Sequence, residues 1–197
     1  MKQTQSFNHS QSKIFSSLFL CLICLLLSKT TMAQGPVTFG INAGPNYSYV
    51  YNDPSISANK GKPGASIDFI ARIGNRFFFE PDLCFNALRS KYNFNGETHN
   101  LNFITLQLPL MIGYQFIKHD DFVLHAAAGP EGEINFKKPN DIPGKEYKSL
   151  TSGGRITAGA DVGRLMFDLS LSAVFDGLEK HTHQKMNSFS LGIGVKL

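Results

Sequence analysis

The sequence predicts an all-β fold: an eight-stranded antiparallel up-and-down transmembrane β-barrel over residues 34–197, behind a leader over residues 1–33. Three observations predict it. Eight segments alternate in side-chain character with a period of two, the period of a strand. The connections between them run long, short, long, short, long, short, long. Large apolar residues share one face of every segment, and almost every strand charge lies on the other.

The leader comes first. Lys2 and Lys13 precede the apolar run "IFSSLFLCLICLLL", and "SKTTMAQ" follows, with Thr31 and Ala33 in the small-residue positions of a cleavage site. This is the pattern of a secretory signal peptide. The run is shorter than the roughly 20 apolar residues that a spanning helix needs. Removing the leader takes Lys2, Lys13 and Lys29 with it, so the formal charge falls from +4 to +1. A basic pI that comes largely from a leader gives no reason to expect nucleic-acid binding. Cys84 is then the only cysteine, so no internal disulfide can form.

The strand segments follow in order. Residues 37–51 set Phe39, Ile41, Ala43, Tyr47 and Tyr49 against Gly40, Asn42 and Gly44. Residues 64–73 set Ala65, Ile67, Phe69, Ala71 and Ile73 against Ser66, Asp68 and Arg72. Residues 77–89 set Phe77, Phe79, Pro81, Leu83 and Phe85 against Glu80 and Asp82. Residues 102–116 contain "ITLQLPLMIGYQF", whose every even position from Ile104 to Phe116 is large and apolar. Residues 122–136 set Phe122, Leu124, Ala126, Ala128, Ile134 and Phe136 against His125, Glu131 and Glu133. Residues 154–162 set Ile156, Ala158, Ala160 and Val162 against Arg155, Thr157, Gly159 and Asp161. Residues 165–176 set Leu165, Phe167, Leu169, Leu171, Ala173 and Phe175 against Asp168, Ser170 and Ser172. Residues 186–197 set Phe189, Leu191, Ile193, Val195 and Leu197 against Ser190, Gly192, Gly194 and Lys196. Pro109 and Pro130 interrupt this scheme, since proline cannot donate to a ladder; local bulges are expected there.

Short turns are expected at 74–76, 117–121 and 163–164, the last with Gly163 where a type II′ hairpin turn needs it. Long loops are expected at 52–62, 90–101, 137–153 and 177–185. Outer-membrane barrels pair short periplasmic turns with long outer loops. Volume decides which face is inside. An eight-stranded barrel is only just wide enough for its interior side chains, so the large apolar face cannot fit within it. The small and charged face can. The apolar face therefore meets lipid, and barrel closure pairs every backbone group that hydrocarbon would leave unsatisfied. Aromatic residues near strand ends, among them Tyr51, Phe77, Phe116 and Phe136, suit interfacial girdles.

Several stretches resemble a known family. "IGNRFFFEPDLCF", "ITLQLPLMIGY", "AAAGPEGEI", "DLSLSAVFDGLEK" and "SFSLGIGVKL" look like the PorT-like outer-membrane β-barrel domain common in Bacteroidota. The family's Gly-Asp-Arg-Phe turn and Gln-Pro-Glu-Leu strand stand here as Gly74-Asn75-Arg76-Phe77 and Glu80-Pro81-Asp82-Leu83. Its Glu-Ile-Pro-Leu matches Gln107-Leu108-Pro109-Leu110, and its Ala-Gly-Pro matches Ala128-Gly129-Pro130. The likeness spans nearly all of the exported chain. It implies the barrel fold and no general set of catalytic residues; one member is tied to protein secretion. The chain ends at Leu197, where many such barrels end in an aromatic.

Candidate chemistry is sparse. The inward charges Asp68, Arg72, Glu80, Asp82, His125, Glu131, Glu133, Arg155, Asp161, Asp168 and Lys196 are expected to form a structural lumen network, because buried charges need partners. With a three-residue turn at 74–76, Ile73 pairs with Phe77 and Asp68 faces Asp82, with Glu80 one step along. Such close carboxylates, and Glu131 and Glu133 on the strand of His125, could instead serve as acid/base pairs or a proton relay. In the last outer loop, Asp176, Glu179, His181 and His183 are ligand types for a transition metal, without a further visible ligand. The expectation is no metal, no cofactor and no catalytic site, since no nucleophile motif accompanies the loop Ser, His and Asp residues.

The sequence thus points to a non-enzymatic integral protein of the bacterial outer membrane, acting through its outer loops as an envelope structural, adhesion or secretion-associated partner. The loop cations Arg89, Lys91, Lys137, Lys138, Lys145 and Lys148 could pair with phosphates of lipopolysaccharide. Three rivals remain: an outer-membrane enzyme using loop residues, a narrow ion channel through the charged lumen, and a soluble periplasmic barrel. Orientation is directly testable. Epitope tags inserted at Asn75 and at Asn140 should differ on intact cells, with surface labelling only at Asn140; labelling at Asn75 would reverse the barrel.

Overall fold

The computed structural model describes residues 36–51, 59–94, 97–137, 148–176 and 185–197. Eight strands form: β1 (Val37–Tyr51), β2 (Asn59–Gly74), β3 (Phe77–Phe94), β4 (Glu97–Lys118), β5 (Phe122–Lys137), β6 (Leu150–Val162), β7 (Leu165–Val174) and β8 (Lys185–Lys196). Each pairs antiparallel with its neighbours in sequence, and β8 returns to β1 from Gly40↔Lys196 to Tyr51↔Lys185, closing the barrel. The expected fold is the observed one. The leader 1–33 lies outside the described residues.

Burial follows the alternation. Along β7 the odd residues Leu165 to Leu171 are exposed, while Met166, Asp168, Ser170 and Ser172 are buried. Leu110, Ile112, Phe136, Ile156 and Ile193 are at least half exposed on the outer wall. Asp68, Glu80, Arg155 and Asp161 are at most 9% exposed, inside it. A wall this apolar needs hydrocarbon around it, and a closed ladder is what allows strands to stand there.

The turns at the end that holds Val37 and Lys196 are tight. Gly163 takes φ 57°, the left-handed region that glycine enters without Cβ strain, and links Val162↔Leu165 in a two-residue hairpin. Gly74, at φ 130°, does the same work before β3. The register there differs from the expected one. Ile73 pairs with Phe79, not Phe77, so Asp68 stands opposite Cys84 and Asp82 opposite Ile70. Asn75 N donates to Phe77 O at 3.1 Å, which tightens the turn and moves β3 by two residues.

Two further expectations are corrected. Residues 90–94 and 97–101, expected in a loop, are strand: β3 and β4 stay in register from Arg89↔Asn102 to Phe94↔Glu97. The apolar alternation stops there because the hydrocarbon stops, but the ladder does not. A tilted crossing takes about 9–11 residues, so strands of 18 and 22 residues carry this hairpin well past the membrane. Neither Pro109 nor Pro130 makes a bulge. Pairing runs Pro109↔Glu131, passes over two positions, and resumes at Ile112↔Ala128 in the same register. The missing donor removes rungs without shifting the strand. Real shifts fall at 62–65, 104–105 and 115–117.

A charge on the outer wall tests this orientation. Leu169 is mid-strand on β7 and faces outward. Leu169→Arg should lower stability by about 2–4 kcal/mol, as expected for a cation near the bilayer midplane. Urea titration in phospholipid vesicles measures it, and an unchanged midpoint would contradict it.

Candidate functional site

The lumen is the site to which the charge segregation points, and two arginines organise it. Arg72, on β2, is 4% exposed. Its Nε donates to Glu80 Oε2 at 2.5 Å and its Nη1 to Asp161 Oδ2 at 3.0 Å. Its Nη2 lies 2.8 Å from His125 Nε2. A guanidinium can only donate, so Nε2 accepts there. That leaves the 3.3 Å approach of Nε2 to Asp168 Oδ1 a contact without a proton to share. Asn42 Nδ2 holds the other oxygen of Asp168. Lys196 closes the cluster from the terminal end, 3.1 Å from Asp161.

Arg155, on β6, organises the other cluster. Its Nε lies 2.9 Å from Glu131 Oε2 and 3.0 Å from Ser172 Oγ. Its Nη1 reaches Cys84 Sγ and its Nη2 reaches Gln107 Oε1, each at 2.9 Å. Gln107 Nε2 then donates to Glu133 Oε2 at 2.6 Å, and Thr151 donates to the other Glu133 oxygen at 3.3 Å. Asn86 joins through Gln107, and Asn46 through Asn86. Side chains from β1 to β7 are thereby tied across the lumen rather than along its wall.

The structure thus divides the candidate residues. Arg72, Glu80, His125, Asp161, Asp168 and Lys196 gather near the terminal end. Arg155, Glu131 and Glu133 gather nearer the loops, so the two glutamates join Arg155 rather than His125. Asp68 and Asp82 are buried, each with one oxygen lacking a hydrogen-bond partner, and their altered register separates them. A buried ion pair gains stability only against a large desolvation cost, but deleting one partner strands the other.

The lumen also holds large apolar side chains, a departure from the expected small and charged filling. Phe78, Leu88, Phe103, Met111, Met166 and Met186 are all at most 3% exposed. Phe78 packs with Met111 and Ala127 and meets the edge of His125 with ring centroids 5.9 Å apart. Arg72 lies over the same ring at 4.8 Å, in cation–π range. Gly113 stands opposite Phe78, and a side chain there would occupy the space of the ring. Gly159 likewise leaves room for His125 and Asp168. Paired glycines facing large inward residues are the sequence signal for these layers.

No group of His, Cys, Asp and Glu among the described residues could hold a metal. Glu179, His181 and His183 lie outside those residues. Asp176 is described. Its Oδ2 accepts from the hydroxyl of Ser152 at 2.5 Å and from its amide at 3.0 Å. Those two bonds hold its carboxyl below the ordinary carboxylate range. Among the loop cations, Arg89 is exposed, and its backbone amide donates to Ser48 Oγ at 2.9 Å.

Comparison with known proteins now decides the family. The model of the outer membrane protein beta-barrel domain matches residues 28–197. The chain belongs to that family. It is an integral outer-membrane barrel. OprG of Pseudomonas aeruginosa is similar in fold, with a TM-score of 0.54 at 11% identity over 83% of this chain and 97% of OprG. Ail, the attachment invasion locus protein of Yersinia pestis, solved with the heparin analogue sucrose octasulfate, gives a TM-score of 0.51 at 15% identity over 82% of this chain and 99% of Ail. No curated protein matches the chain in sequence.

Arg155 offers the sharpest test of the network. Arg155→Met should cost about 3–5 kcal/mol, because Glu131 is left buried and unpaired. The double substitution with Glu131→Gln should recover part of that loss. Urea unfolding in vesicles distinguishes these, and equal stability of the single and double variants would remove the coupling.

Proposed function

We propose that this barrel does not conduct and is not an enzyme, and that its work is done by the outer wall and the projecting rim. The observation that carries this reading is the cross-braced lumen. Arg72 and Arg155 each bind groups from three or more strands at side-chain exposures of 5% and 4%. Most of the inward charges are engaged with one another or with lumen amides and hydroxyls, which favours a structural network over catalysis or transport. A cleft of about 640 Å³ opens at the terminal end, and its lining includes Arg72, Gln115 and Asp161. Arg72 and Asp161 there belong to the network, which supports a closed end to that cleft.

The rim supplies the surface for partners. The β3–β4 hairpin carries strand pairing far past the membrane, and exposed Arg89 stands at its base. A stiff hairpin is a better platform than a coil, because less conformational freedom is lost on contact. We assign the protein an envelope role on this basis: structural support, adhesion or association with secretion, with lipopolysaccharide or another envelope protein as partner. The PorT-like motifs at 74–77, 80–83, 107–110 and 128–130 keep association with secretion among these roles, since one member of the family they resemble is tied to it.

Planar-bilayer recording of the purified barrel tests the reading. The expected result is no unit conductance at any applied potential. Discrete, reproducible current steps that vanish when the lumen residue Thr157 is enlarged to Phe would replace it with the channel.

A further inference from the structure

The outer wall is not uniformly convex. A groove of about 450 Å³ lies across β5 to β8. Its floor is made by three small outward residues, Ala128, Gly154 and Ala173, where neighbouring strands bring them together: Gly154 pairs directly with Ala173. Ile156, Phe175 and Phe189 rise around it. The wall carries other small outward residues, among them Ala71, Ala126 and Ala158, but these do not line the groove. The groove sits toward the loop end. Gly154 is four residues into β6, Asn187 is two residues into β8, and Phe175 follows directly after β7.

The groove has a charged rim. Phe175 is followed by Asp176, whose carboxylate is fastened to Ser152 at 2.5 Å. Ser152 is the next outward residue of β6 beyond Gly154, Leu150 follows it, and Lys148 stands just before the strand. Lys185 is the next outward residue of β8 beyond Asn187. Asp176 lies just past β7, Lys185 opens β8 and Lys148 precedes β6, so all three stand at the loop end of these strands, and both lysines act on Asp176 electrostatically. Among the described residues, two ammonium groups stand with one carboxylate at the loop end of an apolar channel.

We propose that this groove binds one acyl chain of lipid A, the anchor of lipopolysaccharide, with a lipid A phosphate held by Lys148 and Lys185. The inference rests on the reading above that the wall and rim do the work, and it names the partner and the place. The chemistry is complementary at both ends. Lipid A fills the leaflet at the loop end of an outer-membrane barrel, it is phosphorylated at the headgroup, and its chains run down the wall. The Phe175 ring already covers part of Gly154, and a chain laid beside it over Ala128 and Ala173 gains the contacts their short side chains leave open. The anionic headgroup gains from the lysines at the interface, where charge attraction is less screened than in bulk water.

The experiment is a titration of the delipidated, refolded full barrel with bisphosphorylated lipid A, read by native mass spectrometry as lipid bound per barrel. Ala173→Leu fills the groove with a side chain that hydrocarbon tolerates. Ala71→Leu adds the same bulk to β2, on the opposite wall. The wild-type barrel should retain one lipid A, and Ala71→Leu should match it. Ala173→Leu should bind about tenfold more weakly, the effect of about two methylenes removed from burial. Lys148→Gln with Lys185→Gln should reduce lipid A to the affinity of its dephosphorylated form, while phosphatidylglycerol should bind no variant specifically. Heat-modified gel migration shows that each variant is folded. Undiminished binding by Ala173→Leu, or equal binding of lipid A with and without phosphate to the wild type, overturns the proposal. Bilayer recording reads the non-conducting assignment separately, so the groove can fail while that assignment stands.

Discussion

The structure depends on one constraint: no backbone N–H or C=O can stand unpaired in hydrocarbon. Strands meet it only by closing on themselves. Closure from β1 to β8 through ten paired positions, Gly40↔Lys196 to Tyr51↔Lys185, is what makes every other feature possible. Once eight strands close, the interior is narrow. Large apolar side chains must face out, and what remains must fill the lumen without voids. The face segregation follows from that geometry.

A narrow lumen then raises an electrostatic problem. Carboxylates and guanidinium groups taken out of water are stable only with partners at hydrogen-bonding distance. The barrel meets the requirement by placing an arginine at each of two levels and aiming acids from several strands at it. Arg72 gathers Glu80 and Asp161 from β3 and β6, and Arg155 gathers Glu131 from β5 with Gln107 from β4. These bonds brace the cylinder across its axis, a direction in which the ladders give no support.

Much of this was legible in the sequence, for physical reasons that differ by element. The span of β1 was read to the residue, because lipid enforces a strict alternation from Val37 to Tyr51. The β3–β4 hairpin was misread as a loop, because beyond the membrane a strand no longer needs apolar residues. The Asp68–Asp82 pairing failed because register rests on a turn's hydrogen bonds, here Asn75 N to Phe77 O, which composition does not reveal. The prolines suggested bulges, yet the ladder passes them by omitting rungs. The lumen's charged set was visible from face segregation alone. Its division into two clusters, and its Phe78 and Met111 packing, required the height of each residue along the axis. The wall groove left a faint signal in Ala128, Gly154 and Ala173, scattered over three strands.

Lipid meets the odd face of β7, and the packed lumen meets the even face. Single cysteines placed from 165 to 174, one at a time, in vesicle-reconstituted barrel and exposed to a lipid-soluble thiol reagent test it most directly. Cys21 and Cys24 are first replaced with Ser, and Cys84, the remaining native cysteine, is fully buried and gives no background. The account predicts rapid modification at 165, 167, 169 and 171 and protection at 166, 168, 170 and 172. Modification of the even positions with protection of the odd ones would place the charges in lipid and contradict the account.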